Sequence, residues 1–199
     1  MMSEQKLSQS IIGVDVNDIK LVPYDPRWPE VFKRDEEMLL RRFWTKNNGL
    51  KVHHVGSTAI PTITEAKPVM DILMEMNYTS DFFRVSRYLV DEGFYVQGDT
   101  PKMGTRIDYY MTGASQRVFC DDSHQKIRNY LHYDRSCGQW YKRLLLFKKF
   151  MLENPQEAQK YVELKKELVQ KFPNDYLKIA HGKCEFVENI LDKAWERYE

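Results

Sequence analysis

The sequence predicts an α+β fold in which a small mixed sheet with helices is followed by a C-terminal helical half. Apolar residues at helical spacing come first, short strand-like segments fill the middle, and helical spacing returns throughout the last third. We expect a flexible or edge-strand N-terminus at residues 1–20, an α/β core at 21–135, and a helical subdomain at 136–199 packed on that core.

The first helix and the first two strands follow from spacing and turn residues. Asp25-Pro26 suits a helix start, because proline is tolerated in the first helical turn. An apolar stripe at helical spacing then predicts a helix over about 28–46. Alternating and apolar segments predict a strand at Lys51–Val55 and a second, more buried strand at Val69–Met76.

The middle of the chain alternates between helical and extended patterns. Apolar residues on one face predict a helix over Thr79–Glu92, which Gly93 closes. The polar stretch 113–126 predicts a loop. Further strands are predicted at Phe94–Gln97, Arg106–Met111 and Ile127–Tyr133.

The last third predicts three helices. A stripe from Trp140 to Met151 marks the first, and Asn154-Pro155 starts the second. Pro173-Asn174 ends the second helix, and apolar residues between Ile179 and Ala194 line the third.

Composition limits the classes of function. The formal net charge is +1 over 199 residues, and 42% of them are hydrophobic, which is typical of a globular protein. Residues 101–150 carry ten Lys/Arg against four Asp/Glu, so an anionic partner is expected to meet this quarter, unless it is only a solvated face. Nucleic acid is a disfavoured partner, and the sequence does not indicate the oligomeric state.

Localisation follows from the cysteines and from hydropathy. The three cysteines have no zinc-binding spacing and suit free thiols in a reducing compartment. No apolar run approaches the length of about 18 residues that spans a membrane, and the N-terminus has no apolar leader. We therefore expect a cytoplasmic protein with no membrane partner.

The most informative stretch runs from His54 to Pro61, with the sequence His-Val-Gly-Ser-Thr-Ala-Ile-Pro, and is followed by Lys67-Pro68-Val69-Met70-Asp71-Ile72. A strand ends at a Gly-Ser turn, and the next strand carries a carboxylate. Glycine tolerates positive φ and lets backbone N–H groups approach a phosphate. The alternative is an ordinary Gly-Ser turn.

These two motifs resemble the signature of the GrpB-like family, an offshoot of the nucleotidyltransferase superfamily. Val22-Pro23-Tyr24-Asp25-Pro26-Arg27-Trp28-Pro29 is similar to the opening of that family, and the similarity extends over roughly residues 20–195. The resemblance implies a nucleotidyltransferase-like core at 21–135. It also implies a site in which Gly56, Ser57 and the neighbouring Thr58 hold phosphate.

Three carboxylates are candidates for a magnesium site. The resemblance implies that Asp71 lies at the position that holds Mg²⁺ in nucleotidyltransferases, and a carboxylate is a suitable ligand for that ion. Leu73 stands where the wider superfamily places a second carboxylate, so Asp108 or Glu75 must complete the metal shell. The alternatives are a capping or salt-bridged acid at Asp71 and a structural acid at Glu75.

Three further residues are candidates for contact with phosphate or acceptor. The resemblance places a histidine at His54, and a later His-x-His pair of the family matches Tyr130-Leu131-His132, so only His132 carries over. Lys67, just before the Asp71 strand, can act as a point charge on a phosphate. Each of the three has a structural or solvated alternative.

Two functions remain open at this point. The first is Mg²⁺-dependent transfer of a nucleoside monophosphate from a nucleoside triphosphate (NTP) to an unidentified acceptor, which makes an NTP or another phosphate-bearing small molecule the expected partner. The second is a catalytically degenerate nucleotide- or anion-binding module of the same fold, which the absence of the i+2 carboxylate favours.

Overall fold

Short strands occupy the first two thirds of the chain and helices the last third. The computed structural model describes residues 12–15, 18–45, 49–76, 85, 87, 94–97, 117–122, 126–135, 139–173 and 175–199. The strands within these ranges are β1 (Val14–Asp15), β2 (Val22–Pro23), β3 (Lys51–Val55), β4 (Glu65–Ala66), β5 (Met70–Met76), β6 (Phe94–Gln97), β7 (Arg117–Asp122) and β8 (Lys126–Arg135). The helices are α1 (Trp28–Phe43), α2 (Gln139–Glu153), α3 (Pro155–Lys171), α4 (Tyr176–Gly182) and α5 (Cys184–Tyr198).

The main sheet is mixed and has the strand order β3-β5-β8-β7-β6, with β1 paired to the start of β8. β5 and β8 run parallel, whereas β3 and β7 lie antiparallel to their neighbours. Val55 pairs with Asp71, and Leu73 pairs with His132. This register brings the end of β3, the start of β5 and the middle of β8 together.

The two faces of the sheet have different partners. Alternation along β5 turns Met70, Ile72 and Met74 toward α1, where Trp28 and Leu39 are almost fully buried. The alternate β5 residues, from Asp71 to Glu75, face the C-terminal helices, since His53 on the same face contacts Tyr141 of α2. The helical half therefore covers the polar face of the sheet.

The segment that follows the Gly-Ser turn anchors the helical half. Ile60 and Ile63 are fully buried and pack into a cluster with Met151 of α2 and residues of α3 and α5. The Thr62 hydroxyl donates to the Met151 carbonyl oxygen at 2.9 Å. The chain around the turn is thus fixed to both halves of the molecule.

Most of the predicted elements are confirmed. β3 has the predicted bounds, the strands at β5, β6 and β8 are present, and the α+β class holds. The first helix ends at Phe43 instead of 46, because Trp44 is extended. Arg106–Met111 and most of Thr79–Glu92 lie outside the described residues.

Two predictions about local structure are wrong. The stretch 113–126 is not all loop, since Arg117–Asp122 forms β7; pairing with β6 and β8 on its two edges outweighs its polar sequence. The third C-terminal helix is two helices that meet at Lys183. Gly182, the last residue of α4, lies against Leu168 so closely that a Cβ would overlap it.

Replacing Ile63 with alanine should destabilise the protein by about 2–5 kcal/mol, because a fully buried side chain leaves a cavity between the turn and the helices. Urea unfolding measures this change. Leu177→Ala is the control, since Leu177 is 52% exposed, and its effect should stay within about 0.5 kcal/mol. Equal effects of the two substitutions would contradict the anchoring role of Ile63.

Candidate functional site

The Gly-Ser turn is fixed by close contact with the next strand. Gly56 has φ +68° and ψ −173°, and Ser57–Ala59 form a 3-10 turn. A Cβ on Gly56 would overlap the Asp71 carboxylate. Glycine is required here both by the positive φ and by the absence of space, so the turn and the carboxylate meet without an intervening side chain.

A neutral hydrogen-bond relay supports the turn from behind. The Thr58 hydroxyl donates to the Val69 carbonyl oxygen at 3.1 Å, and the hydroxyl oxygen lies 3.0 Å from His54 Nε2. Since the Thr58 proton is engaged, this network assigns the donor role to His54 Nε2–H. The His54 ring also stacks on Phe32 of α1. The structure thus places His54 and Thr58 in support of the turn, and neither lies in the cleft described below.

Burial lowers the pKa of His54 to about 4, and the positive charge of Lys148 contributes in the same direction. The Lys148 Nζ donates to the His54 carbonyl oxygen at 2.8 Å, and burial lowers the pKa of Lys148 as well. His54 is therefore a neutral structural residue at physiological pH. Lys148 links α2 to the strand that ends in the turn.

Asp71 and His132 form a pair. His132 Nε2 lies 3.2 Å from Asp71 Oδ1, and the two side chains are 12% and 27% exposed. His132 Nδ1 is buried, and the described residues offer it no hydrogen-bond partner. The surviving histidine of the expected His-x-His pair thus contacts the candidate carboxylate.

Glu75 belongs to a different cluster. Its buried carboxylate accepts from Lys51 at 3.1 Å and lies 2.8 Å from His53 Nε2. Four residues of extended chain separate it from Asp71, a distance of about 13 Å at ~3.3 Å per residue. Glu75 therefore lies far from the Asp71 carboxylate and supports the edge of the sheet. Asp108, the other candidate second acid, lies outside the described residues.

A cleft of about 140 Å³ opens in front of the Gly-Ser turn, between the sheet and the helical half. The residues of the turn and the sheet that line it are Gly56, Ser57, Lys67, Val69 and Asp71. The helical residues that line it are Phe147, Tyr161, Lys165, Tyr176 and Lys183. Because three lysines and one carboxylate converge here, we call it the lysine cleft.

The amines of the lysine cleft are held by aromatic and backbone groups. Lys67 Nζ lies 4.1 Å from the centre of the Tyr176 ring. The Lys165 side chain is almost fully buried, and its Nζ donates to the Glu65 carbonyl oxygen at 2.6 Å and lies 4.9 Å from the Tyr161 ring centre. These contacts direct two amines toward the same small volume.

The charges of the three amines depend on one another. Burial holds the pKa of Lys67 well below its usual value and lowers the pKa of Lys165 to about 7, and in both cases the charge of Lys183 adds to the effect. The pKa of Lys183 itself is raised, first by its electrostatic interaction with Tyr161 and then by those with Tyr176 and Asp71. Lys183 therefore keeps its charge, and its neighbours lose theirs more readily.

Sequence reasoning found one side of this cleft and missed the other. Gly56, Ser57, Lys67 and Asp71 were predicted and lie together. Lys165 and Lys183 were missed, because each is one lysine among many on a helix. Three lysine and arginine residues of the basic stretch 101–150 contact other groups. Lys142 and Arg143 form ion pairs with acids near the C-terminus, and Lys148 donates to a backbone carbonyl oxygen.

A family model described as GrpB protein matches residues 18–193 of the chain. The chain belongs to the GrpB protein family. This confirms the resemblance found in the sequence motifs. Within the described residues of this GrpB protein, no helix is long and apolar enough to cross a membrane.

Other GrpB proteins are similar over nearly the whole chain. The glutamate-rich protein GrpB of Alkalihalophilus pseudofirmus is 27% identical over 183 residues, which cover 92% of this chain and 99% of that protein. The UPF0157 protein YqkA of Bacillus subtilis is 25% identical over 181 residues, 90% of this chain, and the chain spans 48% of its length.

A solved structure supports the fold. The crystal structure of conserved protein GrpB from Enterococcus faecalis matches with a TM-score of 0.74 at 25% identity and covers 90% of this chain and 99% of that one. The α+β fold class that the sequence predicts is thereby confirmed.

Gly56→Ala should destabilise this GrpB protein by about 1–3 kcal/mol, since the new Cβ meets the Asp71 carboxylate at a backbone conformation that alanine rarely adopts. Urea unfolding of a double-mutant cycle with Asp71→Ala isolates the contact with the carboxylate. The cost of Gly56→Ala should shrink in the Asp71→Ala background, where the carboxylate is gone and the backbone strain and the close approach to the Cβ of residue 71, at 2.8 Å, remain. An unchanged cost would show that the contact with Asp71 has no energetic weight.

Acid should destabilise the protein through His54. Its folded pKa lies below the unfolded value, so the stability it contributes is complete above pH 6.5 and is lost as the pH falls toward 4, by up to about 3 kcal/mol. His54→Gln keeps an N–H donor without this titration and should flatten the loss between pH 6.5 and 4.5 in urea unfolding. His181→Gln, at an exposed position, should leave the wild-type profile unchanged. Parallel profiles for His54→Gln and the wild type would rule out this account.

Proposed function

We propose that this GrpB protein binds the phosphate groups of a nucleoside triphosphate in the lysine cleft. The observation that supports this most strongly is the convergence of Lys67, Lys165 and Lys183 on the Gly-Ser turn. N–H groups at the start of a helical turn lack intrahelical partners, and with glycine at its entry the turn presents them to an anion. Lysine amines then act as point charges on the phosphate oxygens.

Tyr161 and Tyr176 give the cleft an aromatic wall beside these charges. The Tyr161 ring stacks on Phe186, with the centroids 5.3 Å apart, and lies in T-shaped contact with Phe147. Tyr176 lies under the Lys67 amine. Such rings are rigid and offer apolar area next to the phosphate site, so they are suited to contact the remainder of a nucleotide.

The finer form of this proposal is Mg²⁺-dependent transfer of a nucleoside monophosphate to an unidentified acceptor. It assigns Asp71 to the ion, because a carboxylate oxygen is the donor that Mg²⁺ prefers. The described residues supply one such acid in the cleft and contain no group of three His, Cys, Asp or Glu suited to a metal. Transfer therefore depends on a second acid from outside the described residues, for which Asp108 stays the candidate.

The second candidate function is a nucleotide- or anion-binding module without transfer. The observation that favours it is the contact of Asp71 with His132 and Gly56, which already engages the carboxylate on both sides. In this form the Asp71 carboxylate fixes the turn, and its negative charge repels the phosphate. A cytoplasmic location accompanies both forms of the proposal.

Asp71→Asn distinguishes the two forms, because it preserves shape and removes charge. If the protein catalyses transfer, the substitution should weaken NTP binding in the presence of Mg²⁺ by about 1–3 kcal/mol. With binding alone, NTP affinity in EDTA should stay equal or increase, since a negative charge leaves the phosphate site. Thermal shift with each NTP, with Mg²⁺ and with EDTA, measures both.

The control for that experiment is Glu185→Gln, which removes an exposed acid of α5 and should change neither measurement. The wild type should gain melting temperature with at least one NTP at millimolar concentration, because a ligand that binds the folded state stabilises it by mass action. If no NTP shifts the wild type under either condition, the proposed function is wrong.

A further inference from the structure

We propose that the lysine cleft binds a free polyphosphate anion, represented by inorganic tripolyphosphate, through the amines of Lys67, Lys165 and Lys183 and without a divalent metal ion. This inference rests on the proposed function, because it names the part of the ligand that the same cleft recognises. In a magnesium–nucleotide complex the metal ion balances part of the phosphate charge, whereas in this proposal the lysine amines balance it.

The first support is that the three amines of the cleft have no carboxylate partner in the part of the chain that the structure describes. Among the described residues, no carboxylate forms an ion pair with any of the three amines. The nearby Glu65 offers Lys165 its carbonyl oxygen, and its carboxylate pairs with Lys166 at the surface. Buried amines without a counter-charge are costly, and a multiply charged anion supplies that charge.

The second support is the donor set around the turn. Three lysine amines face one carboxylate, and that carboxylate already contacts His132 and the Gly56 backbone. Mg²⁺ requires oxygen ligands, of which the described cleft offers few, whereas phosphate oxygens accept charge-assisted hydrogen bonds from amines directly. The described residues therefore match a bare polyphosphate better than a metal complex.

The third support is size. The cleft of about 140 Å³ is smaller than the ~300–1,000 Å³ typical of sites that enclose a small organic ligand. Gly56, Ser57 and the three lysines all line this volume. Such a volume suits a row of phosphate groups.

Protonation of the amines links this binding to pH. Lys165 faces Lys67, Lys183, Tyr161 and Glu65, and Lys67 faces Asp71 as well. Burial and the charge of Lys183 lower the pKa of both Lys67 and Lys165, so these amines are more readily neutral while the cleft is empty. An anion in the cleft stabilises their protonated form and raises both pKa values. Anion binding should therefore take up protons near neutral pH and weaken as the pH rises from 7 to 9.

Isothermal titration of the full chain with sodium tripolyphosphate in EDTA tests the proposal. We expect binding at pH 7, an affinity several-fold lower at pH 9, and a binding enthalpy that changes with the ionisation enthalpy of the buffer. Lys165→Met should weaken the binding roughly tenfold or more, as expected for a lost charge-assisted contact. Lys160→Met on the exposed face of α3 should bind like the wild type.

Melting of the ligand-free variants separates binding from structure. Removing a buried charge should leave the melting temperature of Lys165→Met equal to that of the wild type or above it. A lower melting temperature with unchanged tripolyphosphate affinity would overturn the proposal and leave Lys165 a structural donor to Glu65. If Lys165→Met does not fold, Lys183→Met takes its place, with the same expected loss of affinity.

ATP titrations with Mg²⁺ and with EDTA distinguish this inference from the function it rests on. ATP binding that requires Mg²⁺, with no tripolyphosphate binding in EDTA, overturns the inference and leaves nucleotide binding intact. The absence of binding by either ligand, with or without Mg²⁺, overturns both. Tripolyphosphate binding that neither lysine substitution weakens places the anion elsewhere and also overturns the inference.

Discussion

The contact between Gly56 and Asp71 is the constraint on which the rest of the site depends. The antiparallel register of β3 and β5 brings the end of one strand against the start of the other, and the Asp71 carboxylate occupies the space that a side chain on Gly56 would need. The positive φ of Gly56 turns the chain in front of that carboxylate. Because the relay from His54 through Thr58 to Val69 supports the turn from the other side, the turn has little freedom to move.

The helical half completes what the sheet begins. Ile60 and Ile63, which follow the turn directly, are buried among helical residues, so the loop that begins with the Gly-Ser turn and the helices share one hydrophobic cluster. The same packing brings Lys165 and Lys183 to face Lys67 across the cleft. The positive charge of the site is therefore a property of the packed molecule, while most other charges of the C-terminal helices are acidic or paired, as Glu157 is with Lys160 and Lys193.

The sequence revealed those parts of the fold and of the site that depend on neighbouring residues. The strand ending at Val55, the Gly-Ser turn and the strand that carries Asp71 are local patterns, and each has the predicted form. Lys183 has no local signal, because its significance comes from contacts with residues distant in sequence. The β7 strand was missed for a related reason: its pairing with β6 and β8 decides its conformation. The expectation that residues 101–150 meet an anionic partner stays a prediction, since charge counted along a chain does not show which amines share a volume.

The parallel pairing of β5 with β8 has a consequence for how the molecule folds. Parallel neighbours cannot be joined by a tight turn, so a long crossover must be placed before Asp71 and His132 can meet. Closing such a long loop costs chain entropy before any contact compensates for it, and topologies of this kind fold slowly. Lys183 lies still further along the chain, so its position opposite the turn depends on both the sheet pairing and the docking of α5. A chain in which only β3, β5 and α1 are formed therefore possesses the turn, Asp71 and Lys67 but lacks Lys165 and Lys183.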